Sequence, residues 1–487
     1  MMKKEHKLLF LIFLIVLSFR LYFVFQTENF SGDDSYFNVR HTEYINLHLT
    51  PLVNDELSYG GRTIVNSHVY HYFLSFFNAF NPVVAFKIIP ELLLALLVVA
   101  VYFISESITK NPWASLLSAF SSGFIPILMT ETLNNVSIYS VILPLFAYQF
   151  YCMLHLSEKL NHFIALSFIL PIIHPIGFLF DIMLVVYLLL LELDYTTPEP
   201  LTREAVLFST LLGLLLNMII YKKVFLASGI SAIWQNIPQQ LLSSYFKGLN
   251  VFDIMLNIGF VLLIFGIVGL LIGLYRHRGR IIYLLSAMMI TTFVLLFLKM
   301  ISFQVGIMFL GILIAIVSSM GFDRFMKYIE LTKFSKAKSL IITVLVTLIL
   351  LTTVLPSYFA ANTVIKNTIT DNEIEALHWI KDNTNQGTTV LADVEEGNYI
   401  TYFTKRKNVI DSFFLLAPNR YDDVQTVFDT QSVVKALQIM DKYDVEYIYI
   451  SKRTYEKNYA GTVKFLTDEC FSKRYSNEYA TVYKILC

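Results

Sequence analysis

The chain has 487 residues, of which 56% are hydrophobic and only 15% charged, where soluble domains carry about a quarter of charged residues. Long apolar runs recur over most of its length, which excludes an ordinary soluble globular protein and makes it a polytopic membrane protein. Lys plus Arg and Asp plus Glu both number 37, so a net charge of zero gives no electrostatic footprint for a nucleic-acid partner.

In chain order, the first apolar run is 8–25, behind the basic "MMKKEHK" and ahead of bulky "RLYFVFQTENF" with no small-residue cleavage site. It is expected to be a retained span with a cytoplasmic N-terminus. Further spans are expected at 83–105, 114–129, 138–156, 163–173, 178–193, 205–221, 252–275, 281–297, 302–320 and 340–356. That makes about eleven in all, by the rule of ~20 apolar residues per crossing. The short pair either side of "HPIG" (His174 to Gly177) is kept as two spans, because merging it would move the basic "RHRGR" to the outer side. The odd count places the loop after the first span and the C-terminus outside. The expected cytoplasmic loops "ESITKN", "SEKLNH", "YTTPEPLTRE", "RHRGR" and "FDRFMKYIELTKFSKAKS" then hold most of the membrane part's Lys and Arg. A multi-pass cell-membrane location follows.

Near residue 360 the texture changes, dividing the chain into a membrane domain at 1–358 and a soluble domain at 359–487. "DNEIEALHWIKDNT" is expected to be a helix, "TTVLADV" a strand, "EEGNYITYFTKR" a helix and "KNVIDS" a strand. "SVVKALQIMDKY" is a further helix and "VEYIYIS" a further strand. The alternation predicts a small extracytoplasmic α/β domain with a partly parallel sheet. No Gly-rich phosphate fingerprint marks it as nucleotide-binding. Cys470 and Cys487 bracket the last segment and could be disulfide-bonded outside the cytoplasm, whereas Cys152 lies in an apolar span.

The first outer loop, 26–81, is long for a membrane connection, and such loops are often functional. It holds "SGDDSYFNVRH", with helical texture from Asp33 onward. One acid suffices to cap a helix. Two acids near a bilayer repel each other and call for a cation, and hard oxygen ligands suit Mg²⁺ or Mn²⁺ with positions left open for substrate phosphates. Asp34, Asn38 and His41 share one helical face; Tyr36, Val39 and Leu47 lie on another, expected to rest on the membrane domain. Arg40 can meet a phosphate bidentately or pair with Glu43. His68 and His71 share a helix face at a spacing zinc can use, but no further ligand is in sight, so packing or sugar contact is the simpler use. His174 is expected to serve a turn, and Asp181 and Glu91 are acids at buried positions.

An acid pair after the first span, followed by an aromatic-rich helix with Arg, resembles membrane glycosyltransferases of the GT-C fold. "GDDSYFNVRHTEYI" is most similar to the catalytic subunit of oligosaccharyltransferase, and "GGRTIVNSHVYHYFLSFFNAFNPVVAFKIIPELLLALLVVAVYF" resembles the approach to the second span of such enzymes. The resemblance implies a GT-C-like membrane domain and a metal site completed by acids of the second outer loop. That loop reads "GFIPILMTETLNNVS", where Glu131 is the only acid and Asn134 and Asn135 stand where acids are usual. It also implies a substrate-contacting motif near Gln239 and Gln240, and a basic residue for the lipid phosphate, here Lys299. The "WWDYG" motif that helps bind an Asn-x-Ser/Thr acceptor falls at "ADVEEG" (392–397), with both tryptophans missing.

The expected function is therefore transfer of a sugar or oligosaccharide from a polyprenyl (dolichyl) phosphate or pyrophosphate to a protein or glycolipid acceptor at the outer membrane face. The transfer would invert the anomeric centre. Asp33 and Asp34 are the expected catalytic residues, Asp34 and Glu131 the ligands of a divalent metal, and Arg40, Asn38, His41, Lys299, Gln239 and Gln240 the substrate contacts. A transporter or flippase of lipid-linked sugar, or a non-catalytic relative, are the rival readings.

Overall fold

The computed structural model describes residues 4–229, 250–276, 279–414, 417–453, 456 and 463–487. Among these, eight helices are long and apolar enough to cross a membrane, or ten if each of two bent pairs is one span. Each expected apolar run coincides with one of these or with the shorter apolar helix Tyr139–Leu154. Helix α1 (Lys4–Val24) is followed by the loop helices α2 (Asp33–His48) and α3 (Val69–Asn78), then by α4 (Ile89–Thr109).

The bends have local causes. Helices α5 (Pro112–Ser122) and α6 (Pro126–Thr132) meet at 41°. Pro126 holds the preceding Ile125 extended, at φ −76° and ψ 119°, as the ring clash with the previous residue requires. The helix at Phe252–Ile258 turns 99° into the next at Gly259, whose φ of 106° suits glycine alone. At "HPIG", α8 (Leu156–Ile173) and α9 (Phe178–Leu193) are two helices, with α7 (Tyr139–Leu154) before them. A Cβ on Gly177 would lie 2.6 Å from the carbonyl carbon of Leu170. Seven residues of continuous helix would separate these positions by about 10 Å, so the chain folds back there and the pair stays separate. His174 serves this turn, its Nδ1 accepting from the Ile176 amide at 3.2 Å.

The helix Phe303–Leu331 is almost wholly enclosed, within the largest apolar cluster, and packs against α4, α5 and the helices Phe260–Arg276 and Arg280–Phe297. Charge inside this part is paired. Arg20 of α1 donates to Glu91 of α4 at 2.5 Å and to Thr132 of α6 at 3.0 Å, and Glu91 accepts the Asn134 amide at 2.9 Å. Asp181 accepts from Ser209.

The soluble domain has a five-stranded mixed sheet in the order β4-β3-β5-β7-β6. Its strands are β3 (Thr389–Leu391), β4 (Lys407–Asn408), β5 (Val445–Ser451), β6 (Phe471–Ser476) and β7 (Ala480–Ile485), with a small hairpin β1 (Asn54–Asp55) and β2 (Arg62–Thr63) lying in the first loop. Strands β4 and β5 run parallel to β3, and β7 runs antiparallel to β5 and β6. The expected α/β alternation is present, with the helix Pro418–Asp429 and the β6–β7 hairpin in addition. Cys470 and Cys487 form a disulfide with Cα atoms 5.1 Å apart. The last span's helical column runs on through Leu355–Lys366, so residue 358 lies inside a helix. The break comes after it, where Thr370 and Glu373 form a capping box for Asp371–Asn383.

Candidate functional site

Helix α2 begins at the acid pair. Its N-cap is Gly32 at φ 78°, with no side-chain cap, and Asp33 and Asp34 occupy the first turn. A negative charge there is favoured by the unpaired amides and the helix dipole. The two carboxylates then part company.

Asp33 is buried and reaches into the soluble domain. Its Oδ1 accepts the backbone amides of Asn398 at 2.8 Å and Tyr399 at 3.2 Å; its Oδ2 accepts Asn398 Nδ2 at 2.5 Å and Ser412 Oγ at 3.1 Å. Those amides open the helical run that starts at Gly397, so Asp33 caps, across 365 residues of chain, a helix of another domain. Gly397 lets the backbone at 410–411 pack against the start of this run, next to Ser412. A Cβ there would lie 1.9 Å from the Ile410 carbonyl oxygen. This run begins at the last residue of "ADVEEG" (392–397), and the two residues after that stretch, Asn398 and Tyr399, meet Asp33.

Asp34 instead faces a cavity of about 230 Å³. Its Oδ1 accepts from the Ser412 hydroxyl, which thus touches both acids. The walls include Glu131 of α6 with Asn135 and Ser137 just after it, Asn38, Tyr70 and His71 from the loop after α1, Phe413 from the soluble domain, and Ile138, Tyr139, Ile173, His174 and Tyr221. Glu131 stands close enough to Asp34 for the two charges to act on each other. Asn135 accepts from Ser35 at 2.8 Å, which ties α2 to the second loop.

Burial pushes the Asp33 carboxyl well up from the ordinary carboxylate range, reinforced by the charges of Asp34 and Asp411 and opposed by its bonds from Asn398 and Ser412. Enclosure in the cavity also raises Asp34; the Ser412 bond lowers it, and the charges of Asp411 and Glu395 raise it further. The donor set of Asp34, Glu131 and Asn135 is all oxygen, carries surplus negative charge and opens on a cavity. It fits a hard divalent ion such as Mg²⁺ or Mn²⁺ that keeps open positions.

The other expected site residues fall differently. Asn38 lies on the cavity wall, but its Nδ2 donates to the Val136 carbonyl at 2.8 Å. Arg40 is buried and paired with Asp55 of the β1–β2 hairpin, not with Glu43, whose carboxylate takes the Tyr402 hydroxyl at 3.2 Å. The guanidinium therefore faces into the loop, away from the cavity walls, because the hairpin brings an acid closer than the next helical turn does. His41 is fully buried, outside those walls. Lys299 is exposed at φ 58°, in the turn before Phe303–Leu331. Gln239 and Gln240 lie outside the described residues. Leu47 is exposed, and Tyr36 packs on Tyr399, Tyr402 and Phe403 of the soluble domain rather than on the membrane domain. Asn134 turns away from the cavity, its Oδ1 accepting from Lys87, which also donates to the carbonyls of Val24, Thr27 and Asn29.

Ser412 and Asn398, which contact the acid pair, are positions that the sequence does not single out. Their only local signal is adjacency to the "WWDYG"-like stretch and to "VID". A larger cavity of about 780 Å³ lies between the Phe260–Arg276 and Phe303–Leu331 helices. It is apolar apart from Arg324 and contains none of the acids.

No family model matches the chain, and no curated protein matches it. Solved structures do. A crystal structure of an Archaeoglobus fulgidus oligosaccharyltransferase in the apo form superposes with a TM-score of 0.71 at 15% identity, covering 99% of this chain and 74% of that one. The archaeal oligosaccharyltransferase AglB from Archaeoglobus fulgidus, in complex with an inhibitory peptide and a dolichol-phosphate, gives 0.68 at 13% identity, with 97% and 74% covered. An A. fulgidus oligosaccharyltransferase complex with Zn and sulfate gives 0.62 at 13% identity, with 96% and 73% covered. ArnT from Cupriavidus metallidurans bound to undecaprenyl phosphate gives 0.56 at 11% identity, with 97% of each chain covered. The fold is that of GT-C membrane glycosyltransferases, with helical spans followed by a small C-terminal mixed-sheet domain.

Proposed function

We propose that the chain is an integral-membrane glycosyltransferase that moves a sugar or oligosaccharide from a polyprenyl phosphate or pyrophosphate to an acceptor at the outer membrane face. The observation that carries this reading is the convergence of Asp34, from α2, and Glu131, from α6, on one cavity whose wall also holds the apolar Ile138 and Ile173. The polar lining suits a sugar-phosphate head group, whose isoprenoid tail would stay in the lipid. The solved structures named with dolichol-phosphate and undecaprenyl phosphate share the fold, which supports the donor class. The Cys470–Cys487 disulfide supports an extracytoplasmic soluble domain.

Asp34 and Glu131 would hold a divalent ion, which supplies charge to offset the leaving phosphate. Asp34 is kept in place by Ser412, and Asp33 acts by positioning: it locks the start of α2 to the Gly397 helix so that Asp34 points into the cavity. The acceptor attacks the anomeric carbon opposite the phosphate, and its proton passes to the Asp34 carboxylate. The carbon–oxygen bond to phosphate breaks with its electron pair going to the phosphate, and the configuration inverts. Lys299, and Gln239 and Gln240, are proposed contacts for the lipid phosphate and the sugar. Arg40 has a structural part instead, through Asp55. The missing tryptophans at 392–397 favour an acceptor other than an Asn-x-Ser/Thr sequon.

Purified protein in lipid, given a radiolabelled polyprenyl-linked sugar and membrane extract as acceptor source, is expected to transfer label. EDTA and Asp34→Asn should each abolish transfer. Movement of the labelled lipid across the bilayer without transfer, or full transfer by Asp34→Asn, would overturn the assignment.

A further inference from the structure

We propose that His41, His68 and His71 form a second metal site, for a transition-metal ion of the Zn²⁺ class, separate from the carboxylate site. His41 comes from the middle of α2; His68 is the N-cap of α3 and His71 lies in its first turn. One ring nitrogen from each lies within 4.8 Å of the others. A tetrahedral ion with Zn–N near 2.0–2.1 Å sets its nitrogens about 3.3 Å apart, a closure that small rotations of the rings supply.

Three further observations point to a ligand. His41 is fully buried, and neither of its ring nitrogens has a hydrogen-bond partner, whereas buried polar groups nearly always have one. The Nδ1 atoms of His68 and His71 are likewise buried and unpartnered. His71 is also already oriented for binding. Its Nε2 lies 2.9 Å from Asn38 Oδ1, and Asn38 is held in that orientation by Nδ2 donating to the Val136 carbonyl at 2.8 Å. An amide oxygen can only accept, so the His71 proton sits on Nε2 and the Nδ1 lone pair is free. This is the outer-shell arrangement that fixes the tautomer of metal-binding histidines.

The chemistry selects the ion. Three imidazoles without a carboxylate suit Zn²⁺ and its neighbours, and discriminate against Mg²⁺ and Mn²⁺. The two nearby guanidiniums do not forbid a cation, since Arg40 is paired with Asp55 and Arg62 with Asp411. His68 is half-buried, which leaves an entry path and an open fourth position. The bound ion would staple α2 to α3. It would act on the cavity through Asn38, which touches both the His71 ring and the cavity wall.

The test uses full-length protein in detergent, stripped with a chelator, dialysed, and titrated with Zn²⁺ or Co²⁺ in excess Mg²⁺. Wild type is expected to take up one tight equivalent, and Co²⁺ to show the visible bands of a nitrogen-rich tetrahedral site. Asp34→Asn and Glu131→Gln should retain that uptake. His68→Gln, at the half-buried ligand, should lose it while melting like metal-free wild type, and Asn38→Ala should weaken it about 10–100-fold. Absence of stoichiometric uptake by wild type overturns the proposal. So does uptake that survives in the His41→Asn/His68→Gln/His71→Gln protein, or that is lost in Asp34→Asn instead. Because the readout is metal uptake, failure here leaves the glycosyl-transfer reading standing, and the reverse holds.

Discussion

Truncating Asp33 to alanine should loosen the soluble domain at one defined place. The carboxylate accepts four bonds, from the Asn398 and Tyr399 amides, from Asn398 Nδ2 and from Ser412 Oγ. Two of these donors keep a partner when it is gone. Asn398 Nδ2 still reaches Ser412 at 3.1 Å, and Ser412 still reaches Asp34. The two backbone amides at the start of the Gly397 helix do not. A buried amide without an acceptor costs about 1–3 kcal/mol, so the pair costs roughly 2–6 kcal/mol. Removing a buried charge beside Asp34 and Asp411 offsets part of this, which leaves a net of roughly 2–4 kcal/mol. At 1.4 kcal/mol per tenfold, that is roughly 30- to 1,000-fold faster hydrogen exchange. The assay is amide exchange read by mass spectrometry on peptides spanning 394–404 of the full chain in detergent. Asp33→Asn should fall between, since it keeps the oxygen that takes both amides but turns an NH₂ toward Asn398 Nδ2. Asp34→Ala should leave this segment as in wild type. Unchanged exchange in Asp33→Ala, or equal acceleration by Asp34→Ala, would refute the separation of roles.

Three further outcomes are expected. Asp34 must be ionised to serve as ligand or base, and its charge is lost as pH falls through a value raised above the ordinary carboxylate range. Protons therefore compete with the ion for this carboxylate, so the Mg²⁺ concentration giving half-maximal transfer should rise as pH falls, and a requirement independent of pH would count against Asp34. Arg20→Ala leaves Glu91 buried without its 2.5 Å partner. It should cost about 3–5 kcal/mol in thermal unfolding, while Arg20→Met/Glu91→Leu recovers most of the loss. Breaking the Cys470–Cys487 bridge, which closes a loop with a sequence separation of 17, should cost the soluble domain about 3 kcal/mol. In intact cells both thiols should resist maleimide until reductant is added, and labelling without reductant would place the domain in a reducing compartment.

What sequence revealed and what it hid divide by the range of the interaction. Spans were legible because apolar length is a local property, and the kink at Pro126 and the turn at His174 follow from neighbours along the chain. The β3 and β5 strands are apolar enough to see. Strand β6, "FSKRYS", has only its first residue buried and so little apolar alternation to reveal it. The helix "PNRYDDVQTVFD" does carry an apolar stripe of Tyr421, Val424, Val427 and Phe428, buried in the core of the soluble domain, but polar residues outnumber it. Contacts between distant segments left no trace. Glu43 sits one helical turn from Arg40, yet the hairpin supplies Asp55. The sequence suggests His41 as a substrate contact and His68 with His71 as a pair lacking a third ligand. Only the packing of α2 on α3 brings the three together.

The acid pair itself obeys a geometric constraint. Successive residues on a helix point about 100° apart, so two adjacent carboxylates in the first turn of α2 cannot both address one cavity. If one lines it, the other must face a neighbour, and a carboxylate turned inward needs donors. The soluble domain provides them through the Asn398 and Tyr399 amides and Ser412, whose segment packs close on Gly397. The doubled acid is then explained without two catalytic groups: Asp33 locks the soluble domain onto the loop, and the lock sets the direction of Asp34. Exchange of the order "Asp33 inward, Asp34 outward" would demand a one-residue shift of α2. That shift would also pull Asn38 from Val136 and Tyr36 from its contacts with Tyr399, Tyr402 and Phe403.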